Sequence, residues 1–456
     1  MFQKVLIANR GEIALRILRA CRDMGIHSVA VHSTADASAM HVRLADESIC
    51  IGPAAAADSY LNPVAILSAA TVSNADAIHP GYGFLSENAK FAAMVEEHGI
   101  AFIGPSPEHI RLMGDKVAAK RFCREAGIPV VPGSDGPIAS EAAARAIAAE
   151  IGYPVLVKAS AGGGGRGMKV VEDADSLASA MELASAEAAS AFGNGELYLE
   201  KYLARPRHIE VQVLADLHGA VIHLGERDCS MQRRHQKILE EAPSPALGED
   251  ERKLICASAV QAAKALGYRS VGTVEFLYSE GEFYFIEMNT RLQVEHPVTE
   301  MVCEIDLVRE MIRVASGAPL GYGQDDVRTS GHAIECRINA EDPVTFIPMP
   351  GRIGDYHPPG GPGVRVDSAL YSSYAVPPYY DSMIAKLIVH GPTREVCMMR
   401  LRRALAEYVI DGIPTTIPLH TRVLEAEDFR LGTYHVHWLE QFVRAGQSGT
   451  APAATD

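Results

Sequence analysis

Apolar residues in the N-terminal part of the chain come in short runs separated by stretches of helical period. Residues 5–8 (VLIA) form a strand-like run, and Gly11-Glu12 opens a segment with Ile13, Leu15, Ile17 and Leu18 at helical spacing. Residues 29–31, 77–78 and 101–103 repeat the short apolar pattern. Strands alternating with helices predict a parallel α/β sheet. No GxGxxG follows the first strand, so a dinucleotide fingerprint is absent. The stretch from Leu112 to Pro132 predicts a helix ending at Gly127 and a proline-bounded strand after it.

Residues 133–203 predict a small separate lobe: an Ala-rich helix, a strand over 154–158, a glycine run, a second helix and a strand over 197–200. Residues 208–215 alternate as a strand and turn at Leu217-His218-Gly219. Residues 272–278 and 282–288 read as a hairpin. From about residue 330 the chain carries Gly- and Pro-rich turns such as HPPGGPG, and a final helix near Ala404. The tail APAATD is expected to be disordered, and no internal repeat is present.

Length and charge narrow the class. The chain has 456 residues, for which about three domains is the prior. Acidic residues outnumber basic ones, 57 to 42, giving a formal charge of −15. That argues against a nucleic-acid binder or an anionic membrane surface, while leaving room for local basic sites. No two of the eight cysteines are close enough for zinc-type pairing, and a chain of this size gains little from disulfides. The N-terminus shows no signal-peptide pattern, and no apolar run approaches the roughly 18 residues of a membrane helix. A cytoplasmic location is expected.

Three stretches carry candidate chemistry. In KASAGGGGRGM, glycines 162–165 lie between two strands, flanked by Lys158 and Arg166. Such a loop lets backbone N–H groups reach a phosphate and cover it as a lid, or it is a flexible surface turn. In VGTVEFLYSEGEFYFIEMN, a three-residue loop Glu280-Gly281-Glu282 would pair Ser279 with Phe283, Glu275 with Glu287, and place Asn289 on the same face. A two-residue loop would shift this pairing by one. Facing carboxylates with an amide oxygen form a hard-oxygen set suited to Mg²⁺, or else a solvated strand face.

The third stretch, RDCSMQRRHQK, crowds Arg233, Arg234, His235 and Lys237 in an acidic chain. Further on, Arg291, Gln293 and Glu295 would share one side if extended. A guanidinium beside a carboxylate suits bicarbonate or a carboxylate substrate, or a structural ion-pair network. The turn IHPGYG holds Tyr82, which on its own reads as a turn residue.

Taken in order, IANRGEIALRI, IHPGYGFLSEN, LMGDKVAAK, KASAGGGGRGM, RDCSMQRRHQK, FIEMNTRLQVEHPVTE and GHAIECRINAEDP resemble the biotin carboxylases, an ATP-grasp family, and VPPYYDSMIAKLI extends the likeness to about residue 388. The resemblance implies an α/β and α+β multidomain fold. Residues 1–112 would be a Rossmann-like domain, 113–330 an ATP-grasp domain with a mobile lid over 133–203, 331–446 a β-rich C-terminal domain, and 447–456 a disordered tail.

It also implies roles. For ATP these fall on Lys116, Lys158, Gly163, Gly164, Gly165, Glu200, Lys201, Leu203, His208, Gln232, His235, Glu275 and Glu287. Glu275, Glu287 and Asn289 would bind Mg²⁺ or Mn²⁺; Lys237, Arg291, Gln293, Val294 and Glu295 would bind bicarbonate; and Tyr82, Gln293 and Arg337 would meet biotin. Glu295, Arg291, Arg337 and Lys237 would carry catalysis, with Glu295 as the base. For Tyr82 the resemblance overrides the plain turn reading.

The implied activity is ATP-dependent carboxylation of biotin with bicarbonate, through carboxyphosphate. No AMKM-like biotin acceptor segment occurs, so biotin is expected on a separate biotin carboxyl carrier protein, with carboxyltransferase subunits as further partners. The implied setting is acetyl-CoA carboxylase, or alternatively a pyruvate, propionyl-CoA or other acyl-CoA carboxylase. A homodimer is expected, with neither nucleic acid nor membrane. Ala161 stands where some relatives have a fifth glycine.

Overall fold

The computed structural model describes residues 1–159, 168–192 and 194–448. Five parallel strands form the N-terminal sheet in the order Glu47–Gly52, His27–Ser33, Lys4–Ile7, Ala77–His79, Ala101–Phe102. Val5, Leu6 and Ile7 are fully buried because helices cover both sheet faces, as a parallel sheet requires. Helix Gly11–Asp23 packs Ile13, Ile17 and Leu18 on one side, and Ile66 and Phe91 close the other. Strand order reverses between Lys4–Ile7 and Ala77–His79, where open α/β sheets form a ligand crevice. There the Asn9 side-chain amide donates to the carbonyls of Pro80 (2.7 Å) and Tyr82 (2.8 Å). Gly81 is needed in this turn: its φ is +65° and a Cβ would lie 2.9 Å from Asn9 Nδ2.

An eight-stranded antiparallel sheet runs through the rest of the molecule, in the order Glu282–Asn289, Ser270–Ser279, Arg207–Ala215, Val221–Arg233, Gln236–Ala242, His332–Asn339, Met383–Gly391, Val364–Ser368. One face places Ile209, Val211, Val213, Val274, Phe276 and Phe285 against Ile255, Ala259 and Ala263 of helix Glu249–Leu266. Each such fully buried large side chain contributes about 1.5–3 kcal/mol. The alternate residues His208, Glu210 and Gln212 point the other way, and Glu210 and Gln212 are nevertheless 0% exposed.

Between the two sheets, Met168–Val171, Val155–Ala159 and Leu197–Lys201 form a three-stranded antiparallel sheet. Its core of Val155, Val157 and Leu199 packs on Ala144 and Ala148 of helix Glu141–Ile151 and Leu177 and Ala184 of helix Leu177–Phe192. The glycine run, including Gly163, Gly164 and Gly165, lies outside the described residues.

Several sequence expectations need correction. The stretch before Gly127 is two helices, Pro107–Gly114 and Lys116–Glu125, because the Asp115 carboxylate caps the second by accepting from Val117 and Ala118 N–H at 3.0 Å each. The strand expected after it is only a bridge between Val130 and Phe285. Helix Arg394–Glu407 is not the last, since Ile417–Glu425, Glu427–Leu431 and Trp438–Ser448 follow; the last runs into the expected tail, of which 449–456 lie outside the described residues. Among the described residues no helix is long and apolar enough to cross a membrane.

Candidate functional site

A cleft of about 1620 Å³ is walled by the N-terminal turns (Asn9, Tyr82), the small sheet (Lys158, Glu200) and the polar face of the large sheet (His208, Lys237, Glu275, Arg337). Every described residue given a role by the family likeness lines it, including Lys201, Leu203, Gln232, His235, Gln293 and Val294.

The hairpin wall forms by a route the sequence pattern does not show. Its loop is the two-residue Glu280-Gly281, with φ of 53° and 86°, so Ser279 pairs with Glu282 and not with Phe283. That register would miss the acid pair by one, but it shifts between Phe276 and Glu275, leaving Ile286 as the extra residue of a bulge. Glu275 therefore faces Glu287 after all, and Thr273 faces Asn289.

Glu275 is 4% exposed and fully engaged. Its Oε1 accepts from Lys237 Nζ (2.9 Å), Asn289 Nδ2 (2.8 Å) and Gln293 Nε2 (2.8 Å), and its Oε2 lies 2.9 Å from His208 Nε2. Burial would raise its carboxyl, but Lys237 and His208 outweigh burial and hold it well below the usual range. Burial would likewise lower His208, and Glu275 overrides it, so the imidazole titrates higher than usual. Glu287 meets Lys116 Nζ at 2.9 Å. The Asp115 cap sets Lys116 at the first helical position. Glu275, Glu287 and Asn289 offer oxygen donors alone on the cleft wall, a set that fits Mg²⁺ or Mn²⁺.

Lys237 is the centre of the buried charge. Its ammonium contacts Glu210 (2.5 Å), Glu275 (2.9 Å) and Glu295 (2.7 Å). Burial opposes its charge, but the three carboxylates raise its pKa well above the usual lysine value. Glu295 Oε2 also accepts from Arg337 Nη2 at 2.9 Å. Burial would raise the Glu295 carboxyl, yet Lys237, Arg337 and Arg227 hold it far below the ordinary range, so it is ionised at neutral pH. The expected extended run of Arg291, Gln293 and Glu295 is absent. The strand ends at Asn289, and Glu295 is the N-cap residue of helix His296–Cys303, although its carboxylate takes no capping bond and stays free for Lys237 and Arg337. Arg291 turns instead to Glu87 Oε2 (2.8 Å) and Asn289 Oδ1 (3.0 Å).

The basic cluster does not act as a unit. Arg234 and His235 form the positive-φ turn between Val221–Arg233 and Gln236–Ala242, and Arg233 lies over the Phe346 ring at 3.8 Å. Only Lys237 enters the carboxylate cluster, while exposed His235 stays at the cleft wall. Gln232 Nε2 contacts His208 Nδ1 at 3.0 Å. Glu200 bonds Lys158 (2.5 Å) and also Lys120, which hold its carboxyl below the usual range against burial. The Lys201 ammonium reaches back to the Gly152 carbonyl at 3.0 Å. The Tyr82 hydroxyl donates to Glu12, which also meets Lys386 at 3.2 Å; Lys386 in turn donates to the Val294 carbonyl at 2.9 Å.

The network also draws in residues not singled out from the sequence. Lys120 lies one helical turn after Lys116, a readable signal. Glu210, opposite Glu275 across the strands, sits on what reads as a solvent-facing strand edge. Arg227 is fully buried and donates to Glu210 (2.6 Å), Gln212 (2.7 Å), Thr299 (2.9 Å) and Gln293 (3.1 Å). Glu240 accepts from Arg337 Nε at 2.6 Å.

Residues 1–110 match the biotin carboxylase N-terminal domain, 115–322 the ATP binding domain of the carbamoyl-phosphate synthase L chain, and 335–441 the biotin carboxylase C-terminal domain. The Haemophilus influenzae biotin carboxylase is 60% identical over 442 residues, covering 97% of this chain and 99% of that protein. A pyruvate carboxylase subunit from Methanothermobacter thermautotrophicus is 54% identical over 445 residues, covering 97% and 91%. The biotin carboxylase domain dimer of the Hydrogenobacter thermophilus 2-oxoglutarate carboxylase was solved with MgADP, ADP and bicarbonate. It superposes with a TM-score of 0.88 at 52% identity, covering 97% of this chain and 98% of that one.

Proposed function

The chain belongs to the biotin carboxylase family, and from that premise we propose how its cleft divides the labour of the reaction. It is an ATP-dependent ligase that carboxylates biotin with bicarbonate, with ATP and Mg²⁺ as its requirements. Glu275, Glu287 and Asn289 would hold the metal, which when bound neutralises charge on the transferring phosphoryl group. Lys116 and Lys158, now paired with Glu287 and Glu200, exchange those carboxylates for nucleotide phosphates. His208, Gln232, Lys201, Leu203 and His235 line the remaining nucleotide wall.

Bicarbonate is held by Lys237, Arg291, Gln293 and the Val294 segment, and Glu295 accepts its proton. In the present arrangement Glu295 is a weak base, because Lys237 and Arg337 stabilise its charge. An anion arriving at Lys237 competes for the ammonium and raises the basicity of Glu295 when it is needed. The bicarbonate oxygen attacks the γ-phosphorus, ADP leaves, and carboxyphosphate forms. Carboxyphosphate breaks into CO₂ and phosphate, and phosphate takes the N1′ proton of biotin. Arg337 stabilises the resulting enolate oxygen while N1′ bonds to CO₂, and Tyr82 flanks the ureido ring.

The observation that carries this reading is that Lys237 and Arg337 meet on one ionised carboxylate, Glu295, in the cleft that also holds the oxygen donors of the hairpin. The test is Arg337→Ala. The expected result is loss of biotin-stimulated turnover with nucleotide affinity little changed; equal loss of both would make Arg337 structural.

Biotin arrives on a carrier protein, and a carboxyltransferase passes the carboxyl group on. The proposed setting is a cytoplasmic, homodimeric component of acetyl-CoA carboxylase. The relatives from pyruvate and 2-oxoglutarate carboxylases keep a keto-acid acceptor as the second reading. Identifying the carboxyltransferase that copurifies with the chain separates the two.

A further inference from the structure

Two buried carboxyl groups beside Arg337 have no role in the scheme above. Glu240 and Glu335 are register partners on adjacent strands, which sets their Cβ atoms about 4.5–5.5 Å apart. Both are 0% exposed, and neither lines the cleft. Glu240 Oε1 accepts from Arg337 Nε at 2.6 Å, while among the described residues its Oε2 has no hydrogen-bond partner and neither oxygen of Glu335 has one.

The surrounding cations are committed elsewhere. Arg337 is divided between Glu240 and Glu295. Lys386, on the strand at the other side of Glu335, donates to the Val294 carbonyl and meets Glu12, which also takes the Tyr82 hydroxyl. Lys237 is shared among Glu210, Glu275 and Glu295. Two ionised carboxylates at this spacing, with a guanidinium bonded to one of them only, repel in a medium of low dielectric. A single proton removes the conflict. A proton on Glu335 would let it donate toward the open Oε2 of Glu240 and would leave Glu240 its charge for Arg337.

We propose that Glu240 and Glu335 form a proton-sharing positioning pair that keeps Arg337 in place while Glu295 trades its contact with Arg337 for substrate. This deepens, and rests on, the reading of Arg337 as the biotin-facing arginine. The titration behaviour agrees. Burial is the main cause in both: it lifts Glu240 to about 7 against the pull of Arg337, and it outweighs the opposing Lys386 charge and, with Glu240 adding to it, holds Glu335 well above the carboxylate range.

Infrared difference spectroscopy on the unliganded protein tests the shared proton without catalysis. A protonated-carboxyl C=O band is expected in the wild type and absent in Glu335→Gln. Kinetics with free biotin test the positioning. Glu335→Gln keeps a neutral donor and should stay within about threefold of wild type, whereas Glu240→Gln should raise the KM for biotin about tenfold, with a smaller change for ATP. The proposal is overturned if no C=O band disappears, if Glu335→Gln is unfolded or as impaired as Glu240→Gln, or if Glu240→Gln shifts both KM values equally. An Arg337→Lys variant with unaltered biotin KM would sink the biotin role while leaving the infrared result intact, so the two failures are separable.

Discussion

Removing the Lys237 ammonium is the most informative single perturbation of the buried charge cluster. In Lys237→Met, Glu210, Glu275 and Glu295 lose a cation that now sits within 2.9 Å of each. Each retains another partner: Arg227, with His208 at 3.9 Å, for Glu210, His208 for Glu275 and Arg337 for Glu295. The cost is therefore that of one broken buried ion pair, about 3–5 kcal/mol, and not three of them. Repulsion between two carboxylates some 5 Å apart at an effective dielectric of about 20 is a further ~3 kcal/mol, enough to draw a proton onto one of them.

That proton fixes the sign of a pH effect. In the wild type Glu275 and Glu295 are depressed, so their contribution is fully present above the unfolded value of 4.5 and flat near neutrality. Burial already lifts Glu210 above its unfolded value in the wild type; in the variant a further carboxyl joins it, so stability falls more steeply as pH rises, by about 1.4 kcal/mol per unit for one extra bound proton. Urea unfolding of both proteins at pH 6 and pH 8 is the assay, with the larger loss expected at pH 8. The acid limb of bicarbonate-dependent ATP hydrolysis should also move to higher pH, because a less depressed Glu295 needs more alkaline solution to ionise. A loss below about 1 kcal/mol, or an equal loss at the two pH values, would show that Lys237 is not what holds Glu275 and Glu295 charged.

Two further outcomes follow from the geometry. Glu287→Gln should raise the Mn²⁺ concentration for half-maximal nucleotide turnover by about 10- to 100-fold, checked by metal titration. Its unfolding midpoint should barely move, because the carboxylate is 31% exposed and, among the described residues, pairs only with Lys116. His79 is fully buried, and its Nδ1 accepts from Gly81 N–H at 3.0 Å, which requires a neutral ring. Burial lowers its pKa from 6.5 to about 3, so its contribution is complete above 6.5 and is lost as pH falls. Acid unfolding of His79→Asn, which keeps an acceptor without titrating, should show a shallower slope below pH 6.5 by about 1.4 kcal/mol per unit.

What the sequence makes legible depends on how local the cause is. The N-terminal strands are readable because apolar runs bounded by helix-period segments fit a sheet covered on both faces. The Glu275–Glu287 pair is readable from strand alternation, although the loop is not: the two-residue turn displaces the register by one and the bulge at Ile286 restores it. A bulge depends on packing across the hairpin and leaves no mark in the pattern. Glu210 is hidden for the opposite reason. Its strand alternates as a half-exposed one would, and only Arg227 and Lys237, arriving from other strands, bury the polar side. The alternation of Arg291, Gln293 and Glu295 misleads because Pro297 starts a helix there, turning Glu295 from strand position to helix cap. The roles of Lys116, Arg337 and Tyr82 are legible only through the family likeness.

Glu295, as the group that readies bicarbonate for phosphoryl transfer, is the residue on which the proposed chemistry turns. The direct measurement is incorporation of labelled bicarbonate into free biotin with Mg-ATP, for the wild type and Glu295→Gln. The wild type should form labelled carboxybiotin with one ADP released per carboxyl fixed, while Glu295→Gln binds nucleotide normally and slows by about 10²-fold or more. Unimpaired fixation by the variant, or a wild type that hydrolyses ATP without labelling biotin, would rule that role out.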